Sequence, residues 1–275
     1  ISGGPMKRLA MVTLLLVAGC ATTQTAETLT APTNQQRMSN IDQLMEAGRN
    51  DEALRELESA KRGADPKQLD RIAYDEATIA LEKEDYKKAQ ALFEARVAAC
   101  RAEHRDESEA WLHNDLVWVH WAMGDDAGAL AENELVASVV RASSLSDKDK
   151  RGILLHYYWD KAYLLAEDHK DAEADAARAE FVATAHEPDD HDGLQVLAAW
   201  FAVVRGDGAA ARAAAATVDA TKDDDLQDLY VLARALELGG DSKGAEAIRE
   251  RIRVAAPYAM KPLMIREMAK DKQKK

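Results

Sequence analysis

Two cysteines in 275 residues leave no room for a disulfide framework, and six prolines and fourteen glycines punctuate the chain too sparsely for many short strands and turns. Strand-type alternation of apolar and polar residues is almost missing, so the chain reads as helical throughout. An excess of basic side chains is missing too: 36 Lys and Arg face 49 Asp and Glu, a net charge of −13. Nucleic acid is bound through cations that displace counterions, and this balance excludes that footprint and argues equally against docking by charge on anionic lipid. There is no Gly-rich phosphate loop, no Ser-centred elbow and no cysteine nucleophile beside a base. The many paired carboxylates lie on strongly charged helical faces and serve solubility, so nothing nominates an enzyme.

What is present begins near the N-terminus. Residues 1–5 precede the only early methionine, Met6, and are set aside. The basic pair Lys7 and Arg8 leads into the apolar stretch Leu9–Val17, followed by Ala18, Gly19 and Cys20. That stretch is about half of the roughly 20 residues a bilayer-spanning helix needs, so it predicts a removable secretory signal. Val17-Ala18-Gly19-Cys20 resembles the bacterial lipobox. The resemblance implies that residues 1–19 are removed and that Cys20 becomes a lipid-bearing first residue. Its covalent lipid is the only added group expected, with no cofactor and no metal. Several acyl chains, at about 0.8 kcal/mol per buried methylene, would hold it on a membrane permanently. The alternatives are an ordinary signal that ends near a cysteine and a buried core thiol. Losing Lys7 and Arg8 and no acid makes the remainder more acidic, at −15 (34 basic, 49 acidic), and leaves Cys100 without a partner.

Residues 20–37, with their Thr, Gln and Ala and with Pro32, read as a flexible linker behind the anchor. Ala21 after the lipid-accepting cysteine is similar to the enterobacterial pattern for the outer membrane, which implies a tether on its periplasmic face.

From Met38 to about residue 259 a turn-plus-alanine pattern recurs. It runs Gly48-Arg49-Asn50 with Ala53, Glu84-Asp85-Tyr86 with Ala89, and Gly124-Asp125-Asp126 with Ala129. It continues as Glu167-Asp168-His169 with Ala172, Gly206-Asp207-Gly208 with Ala211, and Gly240-Asp241-Ser242 with Ala245. The alanines are 36, 40, 43, 39 and 34 residues apart. A Gly or polar residue ends one helix, an Asp caps the next, and the alanine lets the two approach closely.

These units resemble the tetratricopeptide repeat family, best in Glu84-Asp85-Tyr86-Lys87-Lys88-Ala89 with Phe93, and in Gly240-Asp241 with Ala245 and Pro257. The resemblance implies an all-α, TPR-like α-solenoid of about six helical hairpins. It departs from the family where a small residue is expected midway along each first helix: Val117 stands there in the third copy and Asp160 in the fourth. Residues 260–275, with Lys261, Arg266, Lys270, Lys272, Lys274 and Lys275, form a basic tail. It reads as a solvated cap or as a contact for an acidic surface.

Trp111, Asn114, Trp118 and Trp121 are spaced three, four and three, on one side of a helix. In the family, residues thirteen, ten, six and three before the turn line a concave groove. The resemblance therefore implies a partner-binding face of these four together with Tyr74, Tyr157, Trp200 and Tyr230, suited to an extended peptide or a partner helix. The competing reading makes the Trp stripe core and exposes His113, Leu116, Val117 and His120 instead.

His186-Glu187-Pro188-Asp189-Asp190-His191-Asp192-Gly193 has metal-ligand residue types, but Pro188 and Ala199 stand where a calcium loop needs acids, so it reads as a polar loop. The expectation is a protein-binding scaffold or assembly adaptor for an envelope complex, akin to pilotins by analogy only. A small-ligand-binding lipoprotein serving a transporter is the alternative, and a cell-wall hydrolase a weaker one.

Overall fold

The computed structural model describes residues 33–186, 190–222, 225–254, 264, 267 and 268, and of 190–192 the backbone alone. The signal, Cys20, most of the linker and most of the basic tail lie outside the described residues. Among those described there are twelve α-helices and no strand. They pair in chain order: α1 (Asn34–Glu46) with α2 (Asn50–Lys61), α3 (Pro66–Glu82) with α4 (Tyr86–Ala102), α5 (Asp106–Met123) with α6 (Asp126–Ala142). Then follow α7 (Asp147–Glu167) with α8 (Asp171–Thr184), α9 (Asp190–Val204) with α10 (Gly208–Ala215), and α11 (Leu226–Leu238) with α12 (Ser242–Val254). Each helix packs on the next, and α5 also reaches α7, α7 reaches α9, and α9 reaches α11. Helix α1 starts earlier than the linker reading predicts. Thr33 accepts from the Gln36 amide while Gln36 returns a bond to the Thr33 amide, so two orphan donors are satisfied at once.

One turn joins both helices of every pair. Gly48, Glu84, Gly124, His169, Gly206 and Gly240 adopt left-handed φ angles between 57° and 84°. At each, the amide bonds back three residues and the next amide bonds back five, as when Gly124 N–H meets Trp121 O and Asp125 N–H meets His120 O, both at 2.9 Å. This Schellman arrangement satisfies carbonyls that a helix end otherwise leaves open. Asp85, Asp125, Asp207 and Asp241 then cap the second helix by accepting the amides of Lys88, Gly128, Ala210 and Gly244.

Five residues past each left-handed position stands an alanine with no exposed surface: Ala53, Ala89, Ala129, Ala174, Ala211 and Ala245. Seven before it stand Ile41, Ala77, Val117, Ala162, Ala199 and Ala233, equally sealed. Small side chains on both helices let the backbones approach.

The fourth pair is set two residues later than the sequence pattern predicts. His169, not Glu167, is left-handed; the buried alanine is Ala174, whereas Ala172 is exposed. The mid-helix small residue is Ala162, so Asp160 does not replace it. Helix α7 runs on because Leu164, Leu165 and Ala166 are all buried, and the chain turns only once they are placed. The left-handed residues are thus 36, 40, 45, 37 and 34 apart.

The core is one large cluster from α3 onward, with smaller ones at the N-terminal pairs (Ile41, Leu57, Ile72, Ile79) and among α5, α6 and α7 (Ala110, Val136, Val140, Tyr157). Cys100, at the end of α4, belongs to the large cluster with no exposed surface. Ala174→Leu should cost about 1–3 kcal/mol by overpacking, whereas Ala172→Leu on the exposed side should fall within about 0.5 kcal/mol of the parent. Urea titration followed by circular dichroism distinguishes the two settings of the turn, and the opposite ranking would restore Ala172 to the core.

Candidate functional site

The first helices of the pairs carry all five tryptophans and most of the tyrosines, and the turns set their order. Counting back thirteen, ten, six and three from Gly124 gives Trp111, Asn114, Trp118 and Trp121. Counting back from His169 gives His156, Trp159, Tyr163 and Ala166, and from Gly206 and Gly240 the sixth positions are Trp200 and Arg234. These sixth positions touch in sequence. Trp118 meets Tyr163 edge-on at 5.8 Å, Tyr163 stacks on Trp200 at 4.4 Å and 5°, and the Arg234 guanidinium lies 5.4 Å over Trp200. Four successive pairs thereby contribute one ladder.

Side rails hold its rungs. Trp159 stacks on Tyr163 at 5.4 Å and donates to Gly193 O at 3.3 Å, while Trp200 donates to Tyr163 O at 3.1 Å. Trp121 lies 5.6 Å edge-on from Trp118 and donates to Glu167 at 2.8 Å. Arg234 donates to the Tyr230 hydroxyl at 3.1 Å. Trp111 meets His156 edge-on at 5.0 Å, again at equivalent positions of neighbouring pairs.

Of the eight residues singled out from sequence, Trp118, Trp121, Trp200 and Tyr230 lie along this ladder, and Trp111 and Asn114 flank it. Tyr74 stands further along, on α3, edge-on to Phe93 and facing the Arg96 guanidinium. Tyr157 is elsewhere. The later turn rotates it toward α6, where its hydroxyl donates to Glu134 at 3.1 Å and its ring packs with Val136 and Val140. Three side chains escaped the sequence reading for the same reason: His156, Trp159 and Tyr163. Their signal was the apolar run Leu164-Leu165-Ala166, too long to end at Glu167.

The ladder is covered rather than open. Tyr163, Trp200 and Tyr230 are at most 2% exposed and Trp118 and Trp121 at most 9%, while Tyr74 retains 37%. The competing face is closed as well: His113, Leu116 and Val117 are buried, with His113 Nδ1 2.6 Å from Glu132. Three described residues beyond α12 also lie in this region. Met264 and Met268 are buried in the same core cluster, and Glu267 shares with Trp121, Met123 and Glu167 the wall of a cavity of about 370 Å³. Burial pushes the Glu167 carboxyl above its usual range, against the pull of the Trp121 N–H, and Glu267 adds to the rise.

Beside the ladder runs a row of acids, nine residues before the turn in three successive pairs: Asp75, Asp115 and Asp160. Asp75 pairs with Arg71 at 3.6 Å, Asp115 accepts from the Tyr74 hydroxyl, and Asp160 accepts from Asn114. The last two bonds cross from one pair to the next. Loss of water drives these carboxyls up, to about 6, about 7 and about 8 respectively, against the pull of the donors. Among the described residues no three His, Cys, Asp or Glu side chains gather as a metal set, and no helix is long and apolar enough to cross a membrane. The loop centred on Pro188 lies partly outside them. No protein-family model matches the chain, and no curated protein matches it either.

A carboxyl raised on folding binds its proton more tightly folded than unfolded, so the native state gains on acidification. Stability should be highest near pH 4 to 5, above which it is lost progressively until about pH 8, the upper value of the row. Asp160→Asn should remove part of this slope and raise the melting temperature at pH 8 more than at pH 5. Thermal melts across that range check it; equal shifts at both ends would free Asp160 of any part in the slope.

Proposed function

We propose that this chain is a TPR-like α-solenoid working as a protein-binding scaffold or assembly adaptor of the bacterial envelope, tethered through Cys20 to the periplasmic face of the outer membrane. The observation that carries the reading is the sixfold recurrence of one left-handed turn followed by one sealed alanine. A chain built that way spends its residues on a regular series of first-helix faces, whose surface suits recognition along a line. Contacts of α7 with α9 and of α9 with α11 support stacking of neighbouring units. The ladder is buried, so it supports the reading only by stiffening the first helices whose outer faces a partner would meet. The lipobox resemblance supports the tether, and the acidic surface supports a partner that is neither nucleic acid nor anionic lipid.

Cys20→Ser expressed in a lipoprotein-processing bacterium should move from the membrane to the soluble periplasmic fraction, and metabolic labelling with a fatty acid should disappear. Retention of the variant on the membrane with labelling intact would remove the tether from the proposal. For the scaffold itself, in-cell crosslinking of the lipidated chain should capture a defined envelope protein. That yield should fall at least fivefold in Trp111→Ala, a half-buried position beside the ladder, with helical content unchanged. Recovery equal to the parent would place the binding surface away from this face.

A further inference from the structure

The three carboxyls nine residues before the turn are not equally provided for. Asp75 faces Arg71 and Arg96, and Asp115 faces Arg96 besides the Tyr74 hydroxyl. Asp160 has no such cation. Among the described residues one donor reaches it, the Asn114 amide on Oδ2, and the one charged group that acts on it is another acid, Asp225 at the N-cap of α11. Its Oδ1 takes no hydrogen bond from a described residue, although Asp160 is only 4% exposed. A tie between α5 and α7 does not need this charge, since an asparagine at 160 would accept from Asn114 equally well with no carboxylate to dehydrate. The tie accounts for the bond and leaves the acid without a purpose in the fold.

Asp160 stands at one corner of a frame of four side chains. On α5, Trp111 and Asn114 are three apart; on α7, His156 and Asp160 are four apart, so each couple shares one helix face. The frame closes at both ends, where Trp111 meets His156 edge-on at 5.0 Å and Asn114 donates to Asp160. Unlike the ladder beside it, the frame reaches the surface: Trp111 and Asn114 are half-buried and His156 is exposed. Loss of water nonetheless holds the His156 imidazole below its usual range, so at neutral pH it does not supply the missing positive charge.

We infer that the frame between α5 and α7 receives a lysine ammonium of a partner protein, with Asp160 as its counter-ion. The inference rests on the scaffold reading and deepens it by naming what the partner presents. Asn114 occupies Oδ2, so the fork of a guanidinium does not find both carboxylate oxygens open. An ammonium is a compact charge with three donors and needs only Oδ1 and the Asn114 carbonyl oxygen. The Trp111 indole gives the lysine stem and its charge an aromatic wall. Asp225 adds a second negative charge to the same place.

The probe is Nα-acetyl-lysine N-methylamide, titrated at pH 8 into the isotope-labelled full chain and followed through the tryptophan indole N–H signals, with Trp111 assigned from Trp111→Phe. In the parent the Trp111 signal should shift saturably in the millimolar range. The norleucine counterpart, which has the stem without the ammonium, should leave it in place, and the arginine counterpart should bind several-fold more weakly. Asp160→Asn should weaken binding of the lysine probe about tenfold, the loss of one charged hydrogen bond. That variant should melt no lower than the parent at this pH, so weakened binding is not lost fold. No saturable shift in the parent, an equal shift with norleucine, arginine binding as tight as lysine, or unchanged affinity in Asp160→Asn would overturn the inference. Crosslinking of Trp111→Ala reads any protein on this face whatever its charge, so the scaffold reading and this counter-ion stand or fall by separate results.

Discussion

The constraint on which the rest depends is the closure of each helical pair through a residue with positive φ. Six first helices end with their last carbonyls engaged by two amides of the turn, which fixes the angle at which the second helix leaves. Once that angle is set, the side chain five residues on must fit between two backbones, and only alanine is found there. The mid-helix residue seven before the turn meets the same limit and is alanine in four of the six pairs. Glycine occupies the left-handed position in four turns, where it adopts such φ without a Cβ penalty. Glu84 and His169 hold the same conformation with a side chain attached, so the packing on either side, rather than local preference, imposes it there.

Much of this was legible before any coordinate. The turn residues and alanines of five pairs are in the sequence at the positions the structure uses, because Gly and Asp carry a local conformational meaning that survives folding. The fourth copy shows where local meaning runs out. Glu167-Asp168-His169 offers three polar residues with no glycine among them, and both Ala172 and Ala174 follow. Local rules accept either setting. Only burial of Leu164, Leu165 and Ala166, a tertiary demand, decides between them. The error then propagates by helix geometry, since two residues turn a helix by about 200°, and so Tyr157 was assigned to a face that Tyr163 in fact occupies. The tail was opaque for a different reason. Its basic composition says nothing of Met264 and Met268, the two described residues of that stretch that are buried in the core.

Aromatic stacking and carboxyl burial occupy adjacent rows of the same first helices and act in opposite senses. Tyr163 on Trp200 ties neighbouring pairs through contacts indifferent to pH. Asp115 and Asp160 tie neighbouring pairs by accepting from Tyr74 and Asn114, bonds that favour the charged carboxylate, while loss of water favours the proton, so their cost to the fold varies with pH. Asn114 belongs to both rows, donating to Asp160 from a helix position that elsewhere carries Tyr74 or Trp159. The stiffness of the central pairs therefore has a fixed component and one set by the medium.

Cys100 sits at the junction of two pairs, where α4 gives way to α5, sealed from solvent and with its thiol held protonated by burial. A reagent that requires thiolate cannot reach it until those helices part. Its alkylation rate is therefore a native clock for opening at that joint, readable in the unaltered chain without any label added for the purpose.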